Sequence, residues 1–390
     1  MTGNVILWFF IITLIILLVK QLDIKKNIII CILISILIIL FILNINQCIT
    51  AALEGCRLWY SAILPTTFPF LIICNLLISY DGISVYSKVL GPVICKPLGL
   101  SKHCSFPIVA SILCGYPLGA KYCADIYSMG YIDKNEYQRL LNIASNVGPL
   151  FLIGSVGTAL LGNVSLGYIL LIGNYLSAII IGLITKKKRT NPGSSSLHFP
   201  KSAKINFGLV IKNSVENSIN TILSIGGFIV IFSVIISLVK NNHYILIVFN
   251  QLENMLHLSS GSLYGLFLGS IEITNGCSLL SLLQLSLPIK LGIISFLCSF
   301  SGLAIIAQVS SFVSETNVNY GKYIFLKIIQ GIFSFIITYM LVKLLPTSIS
   351  TSTLGLSFTA NPYIKLMPIL ALLLITLTIR TIDKLFLHTT

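Results

Sequence analysis

The stretch Ser111–Asp125, SILCGYPLGAKYCAD, combines a break in the backbone with a cation. A helix that restarts at Pro117 and Gly119 exposes N–H groups with positive partial charge, and Pro suits its first turn because Pro has no N–H to leave unpaired. Lys121 would lie about one turn further on, where a nearby anion would offset its repulsion by the helix dipole. Tyr116 could stack on an aromatic solute. The pattern therefore predicts a cradle for a carboxylate.

Two other interpretations of Lys121 stay open. The Gly-Tyr-Pro sequence could be a tight turn at the end of a shallow helix, from which the lysine side chain reaches water. Asp125 lies four residues further on, which is the helical spacing for an ion pair. Such a pair would weaken the case for the carboxylate cradle.

A second interrupted stretch, GSIEITNG, contains the single charged residue between Gly261 and Leu287. A carboxylate at Glu272 inside a bilayer needs a partner, a proton or a bound ion. We expect it to bind H⁺ or Na⁺ as a coupling ion, or to bind a substrate group together with Thr274 and Asn275. A solvated position at the extracellular mouth is the alternative.

Two further breaks, SNVGP and SFSG, lie at matched places beyond these stretches. Unwinding there would turn Asn146, Ser299 and Ser301 toward an internal cavity, and Gln308 lies two turns beyond Ser301 on the same face. Small polar side chains that pack one helix on another are the alternative. The predicted substrate-binding residues are Tyr116, Pro117, Gly119, Lys121, Asn146, Glu272, Thr274, Asn275, Ser301 and Gln308.

The composition places these stretches in a membrane. The chain has 390 residues, of which 56% are hydrophobic and 9% are charged, whereas soluble domains carry about 25% charged residues. Val5–Val19 and Ile28–Leu43 are near the length that crosses about 30 Å of hydrocarbon. The first run lacks a cationic start and a small-residue cleavage site, so we predict a retained helix rather than a removed signal peptide.

Charge, cysteines and motifs narrow the function. The net charge of +14 comes from cations in loops between apolar runs, which favours a topology signal and anionic lipid over nucleic acid. The ten cysteines are scattered without a CxxC pair, which predicts neither a disulfide framework nor a metal site. Zinc-protease, serine-hydrolase and Walker motifs are absent from the sequence, so we expect no enzyme and no cofactor beyond a coupling ion. An intramembrane protease or an acyltransferase is the alternative.

The second half of the chain repeats the layout of the first. CGYPLGAKY matches IEITNGCSL, SNVGPLFLIGSVG matches SFSGLAIIAQVSS, and VSLGYILLIGNYLSAIII matches VNYGKYIFLKIIQGIFSF, with Val164 and Gly167 opposite Val318 and Gly321. Upstream, GCRLWYSAILPTTFPFLI matches ENSINTILSIGGFIVIF, with expected breaks at Pro65 and at the Gly226-Gly227 pair. Four matches in one order predict an internal duplication.

The cations predict that the two copies are inverted. Cytoplasmic loops carry an excess of Lys and Arg. If the segment around Gly115 enters the membrane and returns on the same face, every dense basic loop of the first half becomes cytoplasmic, and the second copy then starts from the opposite face. The basic positions are Lys20, Lys25, Lys26, Lys88, Lys96, Lys102, Lys134, Arg139 and Lys186 to Arg189.

The sequence thus divides into five segments. We expect two N-terminal transmembrane helices at 1–46, a first repeat with a re-entrant hairpin at 47–184, a basic cytoplasmic linker at 185–204, a second inverted repeat at 205–345, and a C-terminal transmembrane helix (Ile364–Ile379) with its tail at 346–390.

The motifs GYPLGAK, SNVGPLFLIGSVG, INTILSIGGFIVIFSVI, EITNG and SGLAIIAQVSSFV, in this order, resemble those of the YlbJ/SpoVV-type sporulation integral membrane proteins. The resemblance covers Gln47 to Leu345. That family carries paired nucleoside-recognition or Gate repeats and is related to concentrative nucleoside transporters. The resemblance implies an all-α polytopic membrane carrier with two inverted repeats and re-entrant hairpins.

The resemblance also implies a role. The family is proposed to move dipicolinic acid from the mother cell across the outer forespore membrane of endospore-forming bacteria, in support of spore maturation and the spore cortex. Nucleoside carriers of the wider group place a Gln-Thr-Glu cluster at the first hairpin tip, whereas this chain has Gly115-Tyr116-Pro117 followed by Lys121. A small organic anion therefore fits better than a nucleoside.

Two rival functions stay open. One is a carrier of nucleosides or another metabolite, and the other is a membrane scaffold for sporulation that transports nothing. In either case the lipid bilayer is the surrounding medium and a homo-oligomer is an open alternative to a monomer.

Overall fold

The computed structural model describes residues 26–186, 206–240, 242–314, 316 and 318–344. Within these ranges the chain is all-helical and forms one compact unit. Five helical stretches are long and apolar enough to cross a membrane, namely Ile45–Ser79, Val164–Ile184, Phe207–Lys240, Leu287–Val313 and Tyr320–Leu344. The predicted helices Val5–Val19 and Ile364–Ile379 and most of the basic linker lie outside the described residues.

The helices follow one another with short connections. They are α1 Lys26–Leu43, α2 Ile45–Leu58, α3 Leu64–Ser79, α4 Gly82–Val89, α5 Gly91–Leu98, α6 Ser105–Cys114, α7 Leu118–Ser128, α8 Lys134–Ile143, α9 Val164–Ile184, α10 Phe207–Lys240, α11 His243–Met255, α12 Ser262–Ile271, α13 Ile273–Leu282, α14 Leu287–Phe300, α15 Gly302–Val313 and α16 Tyr320–Leu344. π-Helical segments at Trp59–Ile63 and Leu150–Leu160 and a 3₁₀ turn at Lys102–Cys104 complete the described secondary structure.

Helices α6 and α7 form the first re-entrant hairpin. The 10 residues of α6 rise about 15 Å, half of a hydrocarbon core of about 30 Å. At the hairpin's base the segments before and after it meet, because Glu136 of α8 accepts a hydrogen bond from the Ser101 N–H and Arg139 donates to the Leu98 carbonyl at 2.7 Å. The chain therefore returns to the face from which it came, and the predicted hairpin is confirmed.

Helices α12 and α13 form the second hairpin, interrupted at Glu272. Its two ends also meet, since a Cβ on Gly261 would lie 3.0 Å from the Leu283 side chain. Leu283 packs into the same apolar cluster as Leu160 and Leu341.

The matching helices α9 and α16 run in opposite directions. α9 ends at the base of the first hairpin, where Lys186 Nζ donates to the Pro97 carbonyl at 3.0 Å. α16 begins at that same base, where the Asn319 N–H donates to Gln138 Oε1 at 2.8 Å. The two copies are therefore inverted relative to each other. Which face is cytoplasmic stays a prediction from the cations.

Three expectations about the segments outside the hairpins are wrong. Ile45–Ser79 is one continuous helical stretch, although a break was expected at Pro65. α10 runs without interruption from Phe207 to Lys240, although a break was expected at Gly226-Gly227. Gly226 instead makes room for Trp59, whose ring would lie 2.8 Å from a Cβ at this position and whose Nε1 donates to the Ile222 carbonyl at 3.1 Å. The expected loop that carries Lys88 and Lys96 forms the short helices α4 and α5.

Gly119 offers a test of how tightly the first hairpin packs. A Cβ there would lie 1.8 Å from the Ala144 carbonyl oxygen, whereas a Cβ on Gly227 would meet no atom within 4 Å. We expect Gly119→Ala to lower the free energy of unfolding by about 1–3 kcal/mol or more, because backbone must shift to make room. Gly227→Ala is the matched control and should leave stability unchanged or slightly raised. Thermal unfolding of the purified variants in detergent measures both, and equal midpoints would contradict the described packing.

Candidate functional site

The tip of the first hairpin packs against a second interruption in the chain. Between α8 and the helical segment that starts at Leu150, residues 145–148 form no regular structure, as the SNVGP pattern suggests. Gly115, at φ 73°, approaches this segment so closely that a Cβ would lie 2.5 Å from the Gly148 nitrogen. The tip and the unwound segment thus form one irregular region between hairpin and helix.

A buried lysine forms a hydrogen bond with the backbone of this region. Lys327 lies on α16 and its side chain is 0% exposed. Its Nζ donates to the Ser145 carbonyl and, at 3.0 Å, to Gln330 Oε1. The same Nζ lies 5.7 Å from the centre of the Tyr116 ring at the hairpin tip. The amino group therefore lies among two oxygen acceptors and an aromatic face, within a helix that is long and apolar enough to span a membrane.

Amide and hydroxyl groups extend the network. Gln330 Nε2 donates to Asn146 Oδ1 at 2.8 Å, and Asn146 Nδ2 donates to the Ile143 carbonyl at 2.6 Å. The hydroxyls of Ser145 and Tyr323 are hydrogen-bonded at 3.0 Å. The Ser145 carbonyl thus finds its partner on α16 and the Ile143 carbonyl finds its partner in the Asn146 side chain, as a non-aqueous environment requires.

The charge of Lys327 has no counter-charge in the described part of the chain. The two ion pairs there are Lys121 with Asp125 and Lys212 with Glu216. An isolated charge inside a membrane protein costs several kcal/mol unless it is paired or loses its charge. Chemically, the arrangement suits the binding of an anion, the exchange of a proton, or both.

The second hairpin tip packs against the matching break. Ser301 and Gly302 have left-handed backbone conformations, with φ 77° and 72°, and a Cβ on Gly302 would lie 3.1 Å from the Gly269 carbonyl. Here the tip carries its own anion. Glu272 accepts hydrogen bonds from the Thr274 and Asn275 N–H groups, both at 2.9 Å. The carboxylate therefore caps the N-terminus of α13 and offsets its dipole.

Helix α9, the counterpart of α16 in the first copy, forms hydrogen bonds with the helix just before the second break. Asn174 of α9 accepts a hydrogen bond from Ser299 Oγ at 2.6 Å and donates to Ser295 Oγ at 3.2 Å. Both serines precede the break at Ser301. The last helix of each copy therefore binds the interrupted helix of the other copy, α16 at 145–148 and α9 just before Ser301.

The two irregular regions meet through Tyr116. Its hydroxyl donates to the Cys298 carbonyl. Tyr116 also packs against the apolar cluster that contains Val147, Cys277 and Cys298, which come from the first break, from α13 and from α14. The hairpin tips and the breaks thus surround one central region.

The structure gathers some predicted residues and separates others. Tyr116, Pro117 and Asn146 lie at the region around Lys327, and Gly119 lies next to it against Ala144. Glu272, Thr274, Asn275 and Ser301 lie at the second tip and break. Gln308 is buried within α15. Their roles toward a substrate stay predictions.

Lys121 forms the ion pair that the sequence had left open. Its Nζ lies 2.6 Å from Asp125 Oδ2, one turn along α7. This pair satisfies the lysine without a ligand, which weakens the case for Lys121 as the partner of a carboxylate. The N-terminus of α7, by contrast, has no side-chain cap at Pro117.

Lys327 and Gln330 were missed by the sequence analysis. The signal was present in the segment YIFLKIIQGIFSF, where a single lysine lies in an apolar helix with a glutamine one turn further on. A lone ionisable residue in a spanning segment predicts a functional site. The same rule singled out Glu272.

The Tyr116 contact provides a test of the central region. We expect Tyr116→Phe to lower the free energy of unfolding by about 0.5–1.5 kcal/mol, because the hydrogen bond to the Cys298 carbonyl is lost. Tyr168→Phe is the matched control, since Tyr168 is 53% exposed on α9. Thermal unfolding in detergent compares the two, and the same midpoint for both variants would contradict the contact.

Comparison with known proteins gives one related sequence and one similar structure. No family model matches the chain. The sporulation integral membrane protein YlbJ of Bacillus subtilis (strain 168) is 28% identical over 319 residues, which cover 76% of this chain and 78% of that protein. The structure of a CNTnw double variant in an outward-facing state aligns with 77% of this chain and 84% of its own, at 16% identity and a TM-score of 0.41. The resemblance to the YlbJ-type sporulation membrane proteins that the motifs predicted is confirmed by the sequence match.

Proposed function

We propose that the protein carries a small organic anion across the membrane and that its cargo is dipicolinate. The observation that carries the proposal is the buried amino group of Lys327, which has no acidic partner in the described chain and lies where a hairpin tip meets an unwound helix. When this amino group is protonated, an anion is a more stable occupant of the site than a neutral solute.

The two tips differ in a manner that supports an anionic cargo at the first one. The N-terminus of α13 is already capped by Glu272, whereas Pro117 gives α7 no side-chain cap. The start of α7, which carries the positive end of the helix dipole, and a protonated Lys327 offer two positive groups close to Tyr116. Dipicolinate has two carboxylates on one pyridine ring, so each could meet one of these groups while the ring contacts Tyr116.

Transport requires the tip to move. Lys327 is 0% exposed and Asn146 is 5% exposed, so a cargo reaches them only when the first hairpin and α16 separate. Inverted copies provide two such arrangements, one open to each face, which is the basis of alternating access. We therefore propose that the hairpins move against the remaining helices during each transport cycle.

The related protein's name supports a biological setting. YlbJ is described as a sporulation integral membrane protein, and we propose that this chain also acts during sporulation. In that setting it would export dipicolinate from the mother cell toward the forespore, across the outer forespore membrane, before completion of the spore.

Uptake by the purified protein tests this function. Vesicles that contain the protein should take up labelled dipicolinate faster than protein-free vesicles. Unlabelled dipicolinate should compete, whereas the neutral diamide of the same ring should not, because it lacks the carboxylates. Inhibition by uridine would instead favour a nucleoside carrier. No uptake by well-folded protein would favour a membrane scaffold.

Replacing the buried lysine tests the site. We expect Lys327→Met to weaken dipicolinate binding about 10- to 100-fold, because a charge-assisted hydrogen bond contributes about 1.5–3 kcal/mol. Lys290→Met is the matched control. Lys290 also lies in an apolar helix and donates to a carbonyl, that of Ser281, at 3.0 Å. Binding is measured by isothermal calorimetry in detergent, after the thermal midpoint shows that each variant is folded.

Lys121→Met separates the two candidate lysines. Because Lys121 is paired with Asp125, its loss should change affinity less than the loss of Lys327. A large loss with Lys121→Met and none with Lys327→Met would return the site to the carboxylate cradle predicted from the sequence.

A further inference from the structure

The hydrogen bonds of Lys327 suit two protonation states. A lysine ammonium has three N–H donors, and a neutral amine has two. The structure gives Nζ two oxygen acceptors, the Ser145 carbonyl and Gln330 Oε1. The amine form therefore satisfies both acceptors, and the ammonium form has one donor left for a further anion.

The two acceptors are themselves held in place. Gln330 donates through Nε2 to Asn146 Oδ1 at 2.8 Å, so its Oε1 is turned toward the lysine. Ser145 is fixed through its hydroxyl to Tyr323. Loss of a proton from Nζ thus leaves the surrounding hydrogen bonds intact, which allows the lysine to change charge without unfolding its neighbourhood.

The ionisable groups around Lys327 do not supply a negative charge. Tyr116 faces it from the first hairpin, Cys298 lies beyond Tyr116 on α14, Tyr323 lies on α16 itself, and Tyr175 of α9 donates to the Val147 carbonyl at 3.1 Å. Tyrosines and thiols are neutral near pH 7. From α8, Arg139 extends away to the Leu98 and Gly99 carbonyls at the hairpin base.

The carboxylates nearest to the two hairpins already have partners. Asp125 is paired with Lys121. Glu253 is 0% exposed and accepts hydrogen bonds from the N–H groups of Gly261, Leu263 and Tyr264 at the start of α12. Glu272 caps α13 through both of its oxygens. A proton linked to transport therefore has a better carrier in Lys327 than in Glu272, which the sequence had suggested as the coupling residue.

We propose that Lys327 carries one proton with each transported anion. The inference rests on the proposed function. On the loading side the amine takes a proton from water, and the resulting ammonium binds a carboxylate of the cargo. On the release side one N–H bond breaks, the electron pair stays on nitrogen, and the proton leaves to water with the anion. The empty carrier returns with a neutral amine.

The physical reason is the cost of an unpaired charge. With cargo bound, the ammonium is neutralised by a carboxylate. Without cargo, an ammonium would have to pass through the closed state with only dipoles around it, which costs several kcal/mol in a membrane interior. Loss of the proton removes that cost, so return of the empty carrier depends on deprotonation.

Proton movement in vesicles tests the proposal. Purified protein is placed in vesicles with a trapped pH-sensitive dye, and the membrane potential is held at zero with potassium and valinomycin. External dipicolinate should acidify the lumen, with about one proton for each anion, and external acid should speed uptake. Protein-free vesicles set the background. Uptake without acidification would overturn the inference and leave the proposed function standing.

A conservative variant separates binding from proton release. Lys327→Arg keeps the positive charge, but an arginine does not lose its proton in proteins. We expect exchange of internal for external dipicolinate to be retained and net uptake, with its dye signal, to be lost. Lys290→Arg should keep both. Net uptake with an undiminished dye signal in Lys327→Arg would overturn the inference.

The measurements distinguish the two levels of the proposal. If wild-type protein shows neither exchange nor net uptake, the proposed function fails and the coupling fails with it. If Lys327→Arg does not fold, the dye measurement on the wild-type protein still decides. The inference requires about one proton for each anion, and uptake without any proton movement contradicts it.

Discussion

Every interruption of a helix inside hydrocarbon leaves backbone N–H and C=O groups that water does not reach, and the protein has to supply their partners. This constraint organises the central region. The unwound segment 145–148 receives Lys327, and Gln330 binds Asn146 beside it. The second break is held by Asn174 through the serines before it. The long helices α9 and α16 thus supply hydrogen-bond partners to the two interrupted regions.

The two hairpins satisfy this constraint with different chemistry. The second tip contains its own carboxylate, Glu272, which caps the N-terminus of α13. The first tip lies beside Lys327 of α16, which binds the Ser145 carbonyl and has no acidic partner in the described chain. Two copies of one architecture therefore present one tip that is capped by a carboxylate and one tip that lies beside a buried lysine, and the proposed substrate site is the one beside the lysine.

Much of this arrangement follows from local sequence. Gly115, Pro117 and the SNVGP segment mark breaks because Gly and Pro do not continue a helix, and the matched order of breaks predicts the duplication. Gly226 was misjudged because a glycine that permits close packing looks the same in sequence as one that ends a helix. In the structure it makes room for Trp59.

The candidate site was less accessible to sequence reasoning. Lys121 was predicted to bind a carboxylate because it lies four residues after the break at Pro117. Its partner Asp125 is also close in sequence, four residues further on. Lys327 contacts Ser145 across 182 residues of chain, and only the fold brings them together. The charge itself was visible in the apolar segment, whereas its acceptors were not.

The last helix of each copy forms hydrogen bonds with the interrupted helix of the other copy, and this arrangement bears on how such a protein evolves. The last helix of a single copy carries polar side chains. They would lack hydrogen-bond partners unless a second copy lay beside it in the inverted orientation. An unfused ancestor would therefore need to insert into the bilayer in both orientations and pair with itself. Identical subunits would carry every charged residue twice. In the register that matches Val164 with Val318, Lys327 corresponds to Gly173, so the central lysine is present once, an asymmetry that two identical subunits could not have.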